Sequence, residues 1–217
     1  MKIVEGLLWI AGVVLLLGYF SGSAWGEHER LRGVEAFTLA RDIDAHTTRV
    51  ASALDSAQDT AADHTAAIHP ITTRARLQPE RSADLPIAVL RIPRIALEVP
   101  IRQGTQDPVL LRGAGLVEGS PLPGSPGNVA IAAHRDSFFR GLRDVAVGDL
   151  VELDALDRTL VYRITALAVV EPGDVHVLDE IGEPALTLVT CYPFQFVGSA
   201  PQRFIVRALA LGPPTST

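Results

Sequence analysis

The feature that most constrains the fold is a series of short β-rich runs separated by turn residues, which extends from residue 84 to residue 211. The runs are rich in valine, isoleucine, leucine and threonine, and glycine or proline stands between them: PIAVLRIP, ALEVPI, NVAIAAH, LVELDA, TLVYRITALAVV, PALTLVTC and RFIVRALAL. Seven or eight short strands with short connections are typical of an all-β barrel or sandwich. We also expect two short helices, near residues 107–113 and 137–142.

The charge and the cysteine content exclude several classes of protein. The 217-residue chain has a formal net charge of −6 and contains no basic tract, which argues against a nucleic-acid partner. Because Cys191 is the only cysteine, no intrachain disulfide can form, and the stability of the fold must come from its core. The chain has no CxxC motif and no histidine cluster, so we expect no structural zinc site. The β-rich region also has no GxGxxG motif and no phosphate loop, and we expect no cofactor.

The N-terminus contains a long run without charge. Residues 6–20 carry no charged side chain, and the run continues to Trp25, with Lys2 in front of it. About 20 such residues are enough to cross a bilayer of roughly 30 Å as a helix. We therefore predict a single-pass membrane anchor over residues 1–26. A cleaved signal peptide is the alternative.

The next segment has the composition of a stalk. Apolar residues recur at mixed helical spacings from residue 27 to about residue 54, which predicts an amphipathic helix that either packs on the folded domain or continues the anchor outward. Residues 55–83 contain few large apolar side chains, which is typical of a flexible linker. We therefore predict a stalk over residues 27–83, a β domain over 84–211 and a tail over 212–217.

Three residues of the β domain are candidates for chemistry. Cys191 ends the apolar run PALTLVTC, where a thiol becomes a nucleophile if a base lies near it. The alternative is a buried cysteine that acts as a small hydrophobic residue. His134 ends the run NVAIAAH, and Arg203 begins the last run. Each of these two alone is equally compatible with a structural or surface role.

Five segments in order resemble the sortases, the membrane-anchored cysteine transpeptidases of bacterial surfaces. They are LRIPRIALEVPIRQG, PGSPGNVAIAAHRDSFFRGL, GDLVEL, TLVTCYP and RFIVRA, which together lie between residues 85 and 211. TLVTC matches the T-L-x-T-C signature of the family, and His134, Cys191 and Arg203 follow its His–Cys–Arg order. The short connection from Cys191 to Arg203 is more similar to class D sortases, or to the related sortases of Gram-negative bacteria, than to other classes.

The resemblance implies an eight-stranded β-barrel and a thioacyl-transfer reaction. Cys191 would attack a backbone carbonyl, and His134 would act as general acid and then as general base. Arg203 would stabilise the oxyanion or hold the substrate backbone, and Thr190 would contact the substrate.

The resemblance also implies the partners and the location. The substrate would be a protein with a C-terminal sorting signal similar to Leu-Pro-x-Thr-Gly, and the acceptor would be an amine of the cell wall, of a lipid-linked precursor or of a protein. The catalytic domain would lie outside the cytoplasm. Some sortases hold calcium with a cluster of carboxylates, and because this sequence gives no sign of such a cluster, we expect no obligatory metal. A cysteine peptidase that uses water as acceptor and a non-catalytic, membrane-anchored peptide-binding barrel are the alternatives.

Overall fold

The computed structural model describes residues 2–59, 85–195, 198–212 and 215–216, so most of the predicted linker and tail lies outside the described residues. A long helix, α1, spans Lys2–Asp59, and a short helix, α2, spans Asp107–Leu110. The strands are β1 (Ala88–Ile92), β2 (Leu97–Gln103), β3 (Ala114–Leu116), β4 (Asn128–Ala132), β5 (Leu150–Ala155), β6 (Arg158–Val170), β7 (Ala185–Tyr192), β8 (Gln202–Ala210) and β9 (Thr215–Ser216).

The strands form one sheet that closes into a barrel. Their order is β5-β1-β2-β3-β4-β7-β8-β6-β9, and a further pairing between β5 and β6 closes the ring. The pairs β2–β3 and β4–β7 are parallel, and the other pairs are antiparallel. β9 pairs only with Arg158 and Thr159 at the start of β6. The predicted eight-stranded barrel is therefore confirmed, with β9 as a two-residue addition.

Strand alternation builds the core of the barrel. Successive side chains of a strand point to opposite faces, so every second residue of each run enters the interior. In β1 these residues are Ala88, Leu90 and Ile92, all of them fully buried. Phe139 and Leu142, from the turn and 3-10 helix after β4, also join this core. The β-rich runs predicted their strands because each run supplies at least two such residues.

Among the described strands, the sequence pattern did not reveal the two-residue β9, which lies in the predicted tail, or β3. β3 has three residues, and its centre is Gly115, whose missing side chain allows the main chain to lie close to Gly104. A Cβ at Gly115 would lie 2.1 Å from the carbonyl oxygen of Gly104. A strand that is three residues long and depends on a glycine has no apolar alternation to detect.

The short helices lie close to the predicted positions. α2 falls within the predicted range 107–113, and a 3-10 helix over Arg140–Asp144 overlaps the predicted range 137–142. Two further 3-10 helices, Pro93–Ile95 and Val175–Leu178, were not predicted.

The helix predicted over 27–54 is part of α1, and α1 packs on β1 and β2. Phe37 is 1% exposed, and Gly33 lies so close to Pro100 that a Cβ would reach within 2.7 Å of the proline ring. Arg30 pairs with Glu98 at 3.5 Å, and Arg41 pairs with Asp154 at 3.6 Å, beside the packed segment. The helix is therefore fastened to one side of the barrel by apolar and ionic contacts.

No helix in the described part of the chain is long and apolar enough to cross a membrane. The anchor over residues 1–26 stays a prediction.

Candidate active site

Three neighbouring strands bring the three candidate residues to one end of the sheet. Cys191 near the end of β7 is the register partner of Arg203 on β8. On the other side of β7, Ala132 of β4 is the partner of Val189, and the amide of Ala133 still donates to the carbonyl of Val189 at 3.2 Å. His134 lies two residues after Ala132, and Cys191 lies two residues after Val189. His134 is therefore opposite Cys191, just beyond the last residue of β4.

The three side chains share one face of the sheet. Along β7, Leu186 and Leu188 enter the core, so Cys191 lies on the opposite, outer face with Val189. The same alternation places Arg203 on the outer face of β8, because Val206 enters the core. His134 follows Ile131 and Ala133, which belong to the core, and therefore belongs to the outer face by the same rule. All three residues are half-buried.

A groove on this outer face reaches Arg203, the register partner of Cys191, whereas Cys191 and His134 are not among the residues that line it. Its volume is about 190 Å³, and its floor is formed by Ala132, Val189 and Ile205 of β4, β7 and β8. Its wall is the β6–β7 connection (residues 171–184), which contributes mainly apolar side chains over residues 175–178, and Arg203 also lines it. An apolar groove with a charged group beside a thiol suits an extended peptide whose carbonyl must reach the sulfur.

Thr190 lies on the other side of the sheet from the groove. It is 2% exposed, and its hydroxyl donates to the carbonyl oxygen of Ala133 at 2.7 Å. Because neighbouring residues of a strand face opposite ways, Thr190 cannot share the face of Cys191. This geometry favours a brace between β7 and the residue before His134 over the substrate contact that was expected for Thr190.

Thr190→Val should lower both stability and turnover. The valine keeps the shape of the side chain but leaves the buried carbonyl of Ala133 without its donor, which costs about 1–3 kcal/mol. We expect a lower free energy of unfolding in urea and a lower turnover rate, because His134 follows Ala133 directly. Thr165→Val is the control, since the exposed Thr165 hydroxyl donates at 3.3 Å to the carbonyl of Arg207. Equal losses of stability and turnover in Thr190→Val and Thr165→Val would contradict the role of Thr190 as a brace between β7 and Ala133.

Arg135 is a positioning residue that the sequence pattern did not identify. Its guanidinium donates to the carbonyl oxygens of Pro193 and Gly198, each at 3.0 Å. These two carbonyls belong to the connection after Cys191, which the arginine therefore ties to the end of β4. The position next to His134 was the available signal, but the bonding partners lie 58 and 63 residues away in sequence.

The other histidine of the barrel, His176, does not line the groove. His176 is exposed in the 3-10 helix Val175–Leu178. Within the described ranges, no three histidine, cysteine, aspartate or glutamate side chains are grouped so that they could hold a metal ion.

The comparisons with known proteins agree with this geometry. The family model described as the sortase domain matches residues 90–210, which is more than half of the chain. Sortase D of Bacillus subtilis is 34% identical over 119 residues, which cover 54% of this chain and 60% of that protein. The aligned part thus spans less than two thirds of the length of this relative.

Solved structures show the same similarity. A Clostridium perfringens Sortase D5 transpeptidase is 31% identical with a TM-score of 0.54, and the match covers 59% of this chain and 80% of that one. Sortase C of Streptococcus pneumoniae is 32% identical with a TM-score of 0.56, over 61% of this chain and 72% of that one.

Proposed function

The chain belongs to the sortase family, and on that premise we propose that it is a class D-like cysteine transpeptidase that cleaves a sorting signal and transfers the acyl part to an amine. The observation that carries the proposal is the shared outer face of His134, Cys191 and Arg203, beside an apolar groove. Two of the similar proteins named above are class D sortases, which supports the class.

In the first half of the reaction, Cys191 is the nucleophile. Its thiolate Sγ attacks the carbonyl carbon of the scissile peptide bond, and a tetrahedral intermediate forms. The C–N bond then breaks, and His134 donates a proton to the leaving amine as general acid. The acyl group stays on Sγ as a thioester, while the C-terminal piece of the substrate departs.

Arg203 stabilises the negative oxygen of the intermediate. Its Nη1 donates to the carbonyls of Ala200 and Gln202 at 3.3 and 3.0 Å, which holds the guanidinium at the end of β8. Among the described residues, Nε and Nη2 have no hydrogen-bond acceptor. These two nitrogens are therefore available to the oxyanion or to the substrate backbone.

In the second half, an amine resolves the thioester. His134, now neutral after it has donated its proton, removes a proton from the incoming amine as general base. The amine nitrogen forms a new amide bond to the acyl carbon, and Sγ leaves as the thiolate. The acceptor amine belongs to the cell wall, to a lipid-linked precursor or to a protein.

Adding an amine tests this proposal. The full-length protein is incubated with a peptide that carries Leu-Pro-x-Thr-Gly, with and without triglycine, and the products are separated by mass. We expect a peptide–triglycine product whose share rises with triglycine concentration at the expense of the hydrolysed acid. A product distribution that does not change would identify a peptidase that uses water, and binding without cleavage would identify a non-catalytic barrel.

Arg203→Met should lower kcat/KM by about 10²–10³-fold, because removal of one oxyanion donor has an effect of this size. Arg203→Lys should recover part of the loss, since the ammonium keeps the charge but not the planar fork of donors. Steady-state cleavage of the same peptide measures both. Arg143→Met is the matched control, because Arg143 is exposed and pairs only with Asp144 among the described residues. An equal loss of kcat/KM in Arg143→Met would contradict the assignment of Arg203 as the group that stabilises the oxyanion.

We propose that the protein acts at the outer face of a membrane, with residues 1–26 as its anchor. The uncharged run before Trp25 supports the anchor, and the sortase family supports the location. α1 packs on β1 and β2, whereas Cys191 is on β7, which is four strands from β1 and three from β2 around the eight-stranded ring. Among the described residues, α1 therefore does not line the groove. Recovery of the protein in the soluble fraction of cells would contradict the anchor.

A further inference from the structure

The wall of the groove is held to the sheet by two side chains that have no assigned role. Asn128, the first residue of β4, is 2% exposed, and its Nδ2 donates to the carbonyls of Leu178 and Asp179 at 3.0 and 3.3 Å. Leu178 lines the groove, so this amide lies directly behind the wall. The bonds join parts of the chain that are 50 and 51 residues apart.

A second strand fixes the orientation of the amide. The hydroxyl of Thr187, which is fully buried on β7, donates to Oδ1 of Asn128 at 2.7 Å. The two carbonyls of the wall can only accept hydrogen bonds, so Nδ2 must face them and Oδ1 must face Thr187. All polar atoms of the amide are thus used, and Asn128 connects β4, β7 and the wall.

Arg207 holds the same part of the wall from β8. Its Nη2 donates to the carbonyl of Val177, next to Leu178. Arg207 is the register partner of Thr187, so the arginine and the Asn128–Thr187 pair lie side by side under the wall. Burial lowers the pKa of the Arg207 guanidinium, and its Nη1 has no acceptor in the described part of the chain. A buried guanidinium loses its hydration, and the hydrogen bond from Nη2 to the carbonyl of Val177 offsets part of this cost.

The beginning of the wall is held differently. Asp174 accepts from the amide of Glu171 at 3.1 Å, and Glu171 accepts from Gln202 at 3.2 Å, both in exposed positions. Exposed bonds of this kind contribute little to order. The position of the apolar residues Val175, Val177 and Leu178, which line the groove, therefore depends on Asn128 and Arg207.

We propose that Asn128 and Arg207 are positioning residues that set the width of the groove, and thus the affinity for the substrate peptide. This inference rests on the proposed function of the groove. Neither residue shares the groove lining, so each acts through residues 177–179 and not by contact with the peptide. Substitution of Asn128 or Arg207 removes hydrogen bonds that hold the apolar wall. Binding of the peptide must then also order the wall, and the entropy cost of this ordering lowers the affinity.

The test separates binding from chemistry. For Asn128→Ala and for Arg207→Met, we expect KM to rise about tenfold and kcat to change by less than about twofold, because net hydrogen bonds of this kind are worth about one order of magnitude in affinity. The double variant should show less than the product of the two effects, since both residues hold one segment. Hydrogen exchange over residues 171–182 should become faster in each variant.

The control is Ser120→Ala. The Ser120 hydroxyl accepts from the amide of Ala130 at 2.7 Å and donates to the main-chain carbonyl of Asn128 at 3.4 Å. The substitution therefore removes main-chain bonds on the same strand, while the side-chain bonds of Asn128 to residues 178 and 179 remain. Its KM and its exchange over 171–182 should stay at the wild-type values. A fall in kcat at constant KM, or an unchanged KM with faster exchange, would overturn the proposal. Arg207→Met leaves the buried Asn128–Thr187 pair intact and decides the matter if Asn128→Ala does not fold.

A binding measurement keeps this test independent of the proposed function. The dissociation constant of a fluorescent Leu-Pro-x-Thr-Gly peptide is measured on Cys191→Ala, alone and combined with Asn128→Ala or Arg207→Met. A Kd about tenfold higher in the combined variants supports the positioning role of Asn128 and Arg207, even if the wild-type protein transfers no acyl group to an amine. An equal Kd in Cys191→Ala and in the combined variants overturns that role, even if acyl transfer to an amine is confirmed.

Discussion

Cys191→Ala should abolish cleavage of a sorting-signal peptide, with a loss of at least about 10⁴-fold in kcat, because a nucleophile that forms the covalent intermediate has no substitute. The substitution removes one half-buried sulfur atom at a strand end, so the barrel should remain folded. Steady-state cleavage, followed by separation of the products, measures the loss, and thermal unfolding shows that the fold is kept.

The single cysteine makes a second readout possible. Because the chain has no other thiol, alkylation by iodoacetamide reports on Cys191 alone. Alkylation of the wild-type protein should abolish cleavage in proportion to the fraction modified. Full cleavage by Cys191→Ala, or by the alkylated protein, would contradict the assignment of the nucleophile.

His134→Gln should lower kcat for the peptide by about 10²–10⁴-fold, which is the usual contribution of a positioned general acid or base. The effect should depend on the leaving group. An aryl ester of the same acyl sequence releases a phenolate that needs no proton, so its acylation rate should fall much less than that of the amide. Burst kinetics of the released phenol measure acylation directly.

His176→Gln is the matched control for this experiment. It makes the same chemical change at the other histidine of the barrel, which is exposed and outside the groove. Its rates with amide and ester should equal the wild-type rates. If His134→Gln slowed the amide and the ester equally, His134 would not be the acid that protonates the leaving amine.

The strands that place the site could be predicted from the sequence because each has a long apolar run. β4, β7 and β8 carry His134, Cys191 and Arg203 at or just beyond their ends, and these runs were recognised. Their neighbourhood in the sheet could not be derived from the runs, since β4–β7 is a parallel pair across 52 intervening residues, from 133 to 184. The resemblance to the sortases implied the roles of the three residues, and the structure supplies the pairing.

The role of Thr190 shows a limit of a different kind. Alternation along β7 already puts Thr190 and Cys191 on opposite faces, so the hydroxyl was available to the core side and not to the groove. The signal was present in the sequence, but the strand had to be assigned before its faces could be compared. The hydrogen bond to Ala133 then needs the partner strand.

The side chains that hold the β6–β7 connection to the sheet could not be predicted from the sequence. Asn128 and Arg207 bond to main-chain carbonyls, and any residue supplies a carbonyl, so the sequence carries no mark of the acceptor. The charges of α1 show the same limit, because Arg30 and Arg41 are surface charges in sequence but pair with Glu98 and Asp154 of the barrel. Such contacts are determined by the fold and not by local pattern.

The most direct test of the account is the mass of the protein during turnover. The full-length protein is mixed with excess Leu-Pro-x-Thr-Gly peptide, quenched in acid within the first turnover and measured intact. We predict an adduct with the mass of the acyl part, located on the peptide that contains Cys191 and released by hydroxylamine, as a thioester is. Cleaved peptide without any such adduct, or an adduct on another residue, would contradict the claim that Cys191 carries the acyl group.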